Sequence, residues 1–413
     1  MYLIENSRTS AAWYLSTLAV GIVLARASGY FWFETTLVWG QPVTVVVQWF
    51  FFGVAVVLWG ILESRERAKG LFLSFLIVFA LAWFIHFGLF RFHGDAFNYT
   101  AVLYVPIILM VSLKPPRFTE SLTSLNTFAW SVTGVILGTL VAFFVGIADP
   151  KPQSSNVVAF DEARYWLPLN DAVGIDGRWT GPFSHNGDTA MMGALLVVIA
   201  FVKWRKSSWV YLGTGILTLS LTFGRASIGA ALVGLLVIAI FSNRGILASV
   251  PRWLRIVAVG LLLSLAAIFL YSRPAGLTGR DSFWAAFLDL WLTAPFVGVG
   301  SSGIAESGGI TQQWGHAHSM YIDELARYGL LGLGSQLAAI AMGLVIVGMA
   351  AGRGFPGPLA IFVTYLIVAI TEPRNSWIHP TVISLLIVLT VAVASPFLTR
   401  EKGFSSSQAG GYG

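Results

Sequence analysis

Three short stretches carry side chains able to do chemistry. The first is Thr222-Phe223-Gly224-Arg225-Ala226-Ser227. A guanidinium stays charged at any ordinary pH, so Arg225 needs an anion or a route to water. One reading is an interfacial arginine whose stem lies on apolar surface while its head reaches lipid headgroups. The other is an anion site, in which Gly224 and the small residues after Arg225 let a ligand approach the backbone. The second stretch is Gly279-Arg280-Asp281-Ser282-Phe283-Trp284. Here Arg280 either pairs with a carboxylate such as Asp281 or binds an anion. Phe283, Trp284, Phe287, Leu288 and Trp291 recur on a helical period, which predicts a helix over 281–292 lying along a membrane interface. Arg280 then stands at its N-terminus, where free backbone N–H groups also attract anions.

The third stretch runs from Gly315 to Gly332 and holds His316, His318, Asp323, Glu324 and Arg327. His-x-His with an aspartate nearby raises the question of a metal. Side chains at i and i+2 do not share a helical face, and no third histidine is close, so the spacing is poor for a ligand set. A proton-transfer group or donor at an anionic site fits better, with a hydrogen-bonded structural histidine as the plain alternative.

These stretches must be positioned by a chain of unusual composition. Of 413 residues 56% are hydrophobic and 11% charged, against roughly 25% charged in a soluble domain. With a mean hydropathy of +0.76, the chain reads as a polytopic membrane protein. That sets aside Rossmann folds, TIM barrels and nucleic-acid modules. The apolar runs are continuous, not alternating, so a membrane β-barrel is set aside too. With no cysteine there is no thiolate metal site, iron–sulfur cluster, cysteine nucleophile or disulfide.

Apolar runs predict an all-α protein with about twelve transmembrane helices, near 11–27, 43–62, 70–90, 98–113, 126–148, 187–202, 208–222, 226–242, 253–271, 329–350, 357–371 and 379–397. They form a single transmembrane domain over 1–402, followed by a disordered cytoplasmic tail at 403–413. The first run lacks the features of a cleaved signal peptide. With both termini cytoplasmic, the inner segments hold 15 of the 25 basic residues but 5 of the 19 acidic ones, as the positive-inside rule requires. Two outer loops, about 149–186 and 272–328, exceed the length of connectors and are expected to be ordered and functional. Ionisable residues of the spans, such as Arg26, Glu63, His86 and His379, fall near their ends. That argues against a charged conduction path and for a site at the outer membrane–water boundary.

Together these features resemble one family. His318-Ser319, nine residues, then Gly329-Leu330-Leu331-Gly332 is similar to the histidine motif of the O-antigen ligase and polymerase superfamily, in the loop before its tenth helix. Gly279-Arg280 with Trp284 and Pro295-Phe296-Val297-Gly298-Val299-Gly300 looks like the same domain's arginine motif. Thr222–Ser227 resembles its other arginine turn, and Gly177-Arg178-Trp179 through His185-Asn186 resembles the segment opening its sixth helix. The family usually has a proline between the counterparts of His185 and Asn186, which here are joined directly. The motifs span about residues 178–350, and the topology covers the whole chain.

The resemblance implies an integral-membrane glycosyltransferase of GT-C type in the bacterial inner membrane, working on the periplasmic face. Its donor would be a glycan on a polyprenyl (undecaprenyl) diphosphate carrier. A ligase passes that glycan to lipid A–core; a polymerase passes it to another carrier-linked repeat of O-antigen or exopolysaccharide. The ligase is the first reading, because the dominant outer loop carries both Arg280 and His318. A lipid-linked glycan flippase is the alternative outside the enzyme class. Fixed cations stabilise a departing diphosphate, a role suited to Arg225 and Arg280. The acceptor hydroxyl must lose a proton, with His318 as general base. Direct displacement inverts the anomeric centre, and no acidic pair near the motifs suggests a metal, so the expected enzyme is inverting and needs no metal or other cofactor. Arg178, His185, Asn186, His316, Ser319 and Trp284 complete the implied substrate-binding set. Trp284, Trp291, Trp314 and Tyr321 either contact sugar or lipid or belong to the ordinary aromatic belt. Expected partners are therefore the donor, the acceptor and membrane lipids, with no nucleic acid.

Overall fold

In hydrocarbon a backbone has no water to bond, so a continuous apolar run must satisfy its N–H and C=O groups internally, as a helix does. The computed structural model follows that rule. It describes residues 11–31, 37–38, 41–62, 68, 70–94, 103–146, 169, 172, 179, 181–183, 186–202, 208–242, 250–251, 253–254, 257, 280–371 and 382–398. The helices are α1 (Ala11–Phe31), α2 (Val43–Gly60), α3 (Gly70–Phe92), α4 (Tyr104–Leu113), α5 (Phe118–Phe144), α6 (Asn186–Val202), α7 (Ser208–Thr222), α8 (Arg225–Phe241), α9 (Arg280–Leu292), α10 (Gly300–Glu306), α11 (Gly309–Trp314), α12 (Met320–Gly352), α13 (Gly357–Thr371) and α14 (Val382–Ala394). A two-residue antiparallel pair, Leu37–Val38 with Gln41–Pro42, is the one departure from helix in the sheet sense among the described residues.

Three of these helices, Gly70–Phe92, Thr119–Phe144 and Met320–Gly352, are long and apolar enough to cross a membrane unaided. α1, α2, α6, α8, α9, α13 and α14 supply shorter apolar stretches of helix. A helix covers the middle of every expected span except 253–271, which lies outside the described residues apart from isolated positions. Two starts differ from expectation. α5 begins at 118, not 126, because Glu120 accepts a hydrogen bond from the Arg117 N–H at 2.7 Å and anchors a polar first turn. α12 begins at 320, not 329: its first turns are polar and escaped a reading by hydropathy. Of the long outer segments, 280–328 is ordered as short helices, whereas most of 149–186 and all of 403–413 lie outside the described residues.

Side-chain contacts sort the helix ends onto two faces. Phe75, Phe128, Phe362 and Tyr365 are fully buried in the core between them. On one face, Ser124 Oγ of α5 donates to the Ala12 carbonyl of α1, and Tyr14 Oη donates to the Lys114 carbonyl after α4. On the other, Tyr321 Oη at the start of α12 donates to the Leu366 carbonyl near the end of α13. α8 runs antiparallel to α13: Thr364 Oγ1 donates to the Ala230 carbonyl, and Gly234 packs on Thr364 and Ala360. Arg225 lies five residues before Ala230, about 7.5 Å further toward the end where α12 begins. The starts of α8 and α12 therefore share one end of α13, which lies between them.

Candidate active site

The polypeptide at this end is shaped by a break in α12. Gly329 has φ 63° and ψ −162°, which no residue with a Cβ adopts cheaply. The break frees the next two amides. Leu330 N–H donates to the Pro295 carbonyl at 2.9 Å and Leu331 N–H to the Phe296 carbonyl at 3.1 Å. In return Val299 N–H donates to the Ala326 carbonyl at 2.9 Å. The segment 295–300 is thus stitched along the broken helix, and a Cβ at Gly298 or Gly329 would overlap the backbone of the other strand of this contact. The Pro-Phe-Val-Gly-Val-Gly and Gly-Leu-Leu-Gly motifs are two sides of one joint.

That joint presents the histidine turn. His318 has φ 50°, a left-handed conformation costing a non-glycine residue about 1–2 kcal/mol. Ser319, buried, follows as the N-cap of α12 in extended conformation. The His318 ring meets Phe283 of α9 edge-on at 5.5 Å between centroids and the His316 ring at 4.4 Å. Arg280 opens α9 one turn before Phe283, as expected. The backbone thus brings the start of α9 against the histidine turn. Trp284, next to Phe283, buries its indole Nε1 without a hydrogen-bond partner among the described residues. Trp291 Nε1 instead donates to the Pro295 carbonyl at 2.9 Å, which makes it a structural tryptophan of the joint.

The arginine turn has a similar design. Phe223, with φ 46°, is the other non-glycine residue of positive φ among those described, and it immediately precedes Gly224. A Cβ on Gly224 would strike Ala190 of α6, so α8 can start there only with glycine. Arg225 follows as the first residue of α8 and is exposed. Trp179, fully buried, donates its N–H to the Leu221 carbonyl at 3.1 Å, which ties the Arg178–Asn186 motif to the same turn. Asn186 is buried at the first residue of α6. Arg178 and His185 lie outside the described residues, as do Arg273 and Arg374.

The sequence names His86, Asp323, Glu324 and Arg327 but not their partners, and it gives no signal for His93. His86 of α3 donates or accepts at Glu324 Oε2, 3.2 Å away, with both side chains buried. Its Nδ1 lies 2.7 Å from the Ala82 carbonyl, which fixes the ring. His93 places Nε2 2.9 Å from the Val297 carbonyl and so joins α3 to the 295–300 segment. Asp323 bonds Arg327 Nε at 2.8 Å and the Ala317 N–H at 3.2 Å. Hydropathy placed His86 only near a helix end; no local signal pairs it with a residue 238 positions away.

Residues 210–335 match the O-antigen ligase family, consistent with the O-antigen ligase and polymerase superfamily. The match begins within α7 and ends within α12, so it takes in Arg225, Arg280, His316, His318 and the whole Gly329 joint, but not the Arg178–Asn186 motif. No curated protein matches the chain. Members of that family are glycosyltransferase-like enzymes, so the match supports an enzyme role in general terms, and with the apolar helices it supports a membrane-embedded protein.

Proposed function

We propose that this protein moves a glycan from a polyprenyl diphosphate carrier to lipid A–core at the periplasmic face of the bacterial inner membrane. One observation carries the reading. The start of α9, opened by Arg280, packs through Phe283 on the His318 ring, at the end of the bundle where Arg225 opens α8. A base and two cations at one end of a bundle are what a displacement at a glycosyl diphosphate needs.

The chemistry follows from the groups. An acceptor hydroxyl bonds to the anomeric carbon as the bond to the diphosphate oxygen breaks. His318 takes the hydroxyl proton, and the carrier diphosphate leaves with the electron pair. Arg225 and Arg280 meet the charge that grows on that leaving group, and arginine's fork suits phosphate oxygens. Attack opposite the leaving group inverts the sugar. Trp284 offers a buried indole N–H to a sugar hydroxyl, with Asn186, Ser319 and His316 as further substrate contacts; Arg178 and His185, outside the described residues, belong to the same set through the family resemblance alone. Asp323 has both oxygens engaged by Arg327 and Ala317. That supports a metal-independent reaction, since this carboxylate is already committed.

The test is loss of the protein in its host. Full-length carrier-linked polymer that is no longer joined to lipid A–core supports the ligase. Attached single repeats with loss of chain length would instead identify a polymerase of the same family.

A further inference from the structure

We infer that Asp323 and Arg327 are positioning residues that hold the His318 turn in its reactive shape; the inference rests on His318 acting as the general base. The two side chains are an i, i+4 pair on the first turns of α12, and both reach back to the loop that precedes the helix. Arg327 Nη2 donates to the Gly315 carbonyl, before the histidines. Asp323 Oδ1 accepts from the Ala317 N–H, between them, at 3.2 Å. Arg327 Nε completes the bracket by donating to Asp323 Oδ2 at 2.8 Å. Its Nη1 donates to Ser301 Oγ of α10 at 2.6 Å, which ties the bracket to the segment leaving the Gly329 joint.

This bracket has a definite task. His318 occupies a left-handed conformation that an unsupported loop would abandon. The contacts to Gly315 and Ala317 fix the chain on the N-terminal side, and the Asp323 N–H bond to the Ser319 carbonyl at 2.9 Å fixes it on the other. Neither acid–base chemistry nor donor charge is asked of Asp323 or Arg327. All three arms of the guanidinium end on protein atoms, as a positioning role requires.

The experiment uses the full-length protein in lipid vesicles with a polyprenyl diphosphate glycan as donor, and turnover is measured per donor-binding site. Counting per site removes any loss of folded protein. Asp323→Asn keeps an acceptor for Ala317 but turns an amide N–H toward Arg327. Turnover is expected to fall on the order of 10²-fold, the scale of a misplacement of about 1 Å, with donor affinity unchanged. Arg327→Lys should fall less, because one ammonium cannot reach all three acceptors. Ser301→Ala should fall least and gives a milder variant that folds. The deciding measurement combines Asp323→Asn with His318→Ala. If the acid works through the histidine, the double variant is no slower than His318→Ala alone. An equal further loss in that background means general structural damage and overturns the inference. Normal turnover by His318→Ala itself would overturn the base assignment, and a donor-affinity loss in Asp323→Asn would reassign the pair to substrate binding.

Discussion

Lys114 at one end of the helical bundle and Arg225 and Arg280 at the other are placed by opposite rules. At one end Lys114 follows α4 and donates its ammonium to the carbonyls of Trp59 and Leu62, at the C-terminal end of α2. The same ammonium lies 4.5 Å over the Trp59 ring, and Trp59 Nε1 donates to the Met110 carbonyl. A cation belongs there, because the helix dipole is negative at that terminus. At the other end Arg225 and Arg280 open α8 and α9, where the dipole is positive. That location costs about 0.3–1 kcal/mol each unless a negative group is present to use both the arginine and the free N–H groups. Among the described residues the two left-handed ones that are not glycine, Phe223 and His318, stand at this same end. Lys114 holds helices together at one end, while at the other the left-handed Phe223 and His318 cost backbone stability beside the starts of α8 and α12. Strained residues cluster at functional sites, which is a ground for the site proposed here.

The sharpest break of this contrast is His318→Ala. Removing the proposed base should cut transfer by about 10²–10⁴-fold while donor binding stays intact. Transfer and binding of a polyprenyl diphosphate glycan are measured on one preparation, and normal transfer would refute the role. Arg225→Ala and Arg280→Ala come next. Each should weaken both donor binding and turnover by roughly 10- to 150-fold, the range of a charge-assisted hydrogen bond. The lysine variants should recover only part of that, since a point charge cannot reproduce a two-pronged contact. Variants that bind donor normally and merely fold less well would make these arginines interfacial.

Lys114→Met tests the other end. It removes two hydrogen bonds from a charged donor and should lower stability by about 1.5–3 kcal/mol, read as a lower melting temperature in detergent. Its turnover per folded molecule should match the unaltered protein; a slower folded enzyme would erase the distinction between the ends. The smallest effect expected is none. Chelation of divalent ions should leave transfer unchanged, whereas activity lost to chelator and restored by Mg²⁺ or Mn²⁺ would require a ligand set other than the committed Asp323.

Much of this was legible in the linear sequence. Apolar runs announced the helices, and the arginine and histidine motifs marked the stretches that the structure gathers at one end. Less legible were features whose cause is distant. The start of α12 was hidden because Ile322-Asp323-Glu324 is too polar for a hydropathy reading, although the turn is buried against α3 and the 295–300 segment. Gly329 reads in sequence as the beginning of a helix. In the structure it is a break within one, since the freed Leu330 and Leu331 amides find the Pro295 and Phe296 carbonyls, 35 residues earlier.

What composition and pattern determined alone was helical class, membrane embedding and the short list of chemical side chains, because these depend on transfer energies and periodicity along the chain. What tertiary structure decided was the employment of each charge. Asp323 and Glu324 are neighbours in sequence with the same chemistry. A residue advances about 100° around a helix, so the two carboxylates face different surroundings. Asp323 turns back to Arg327 and the histidine loop, while Glu324 turns to His86 of α3. No local reading separates such a pair, since the partner that defines each acid arrives only when the helices pack.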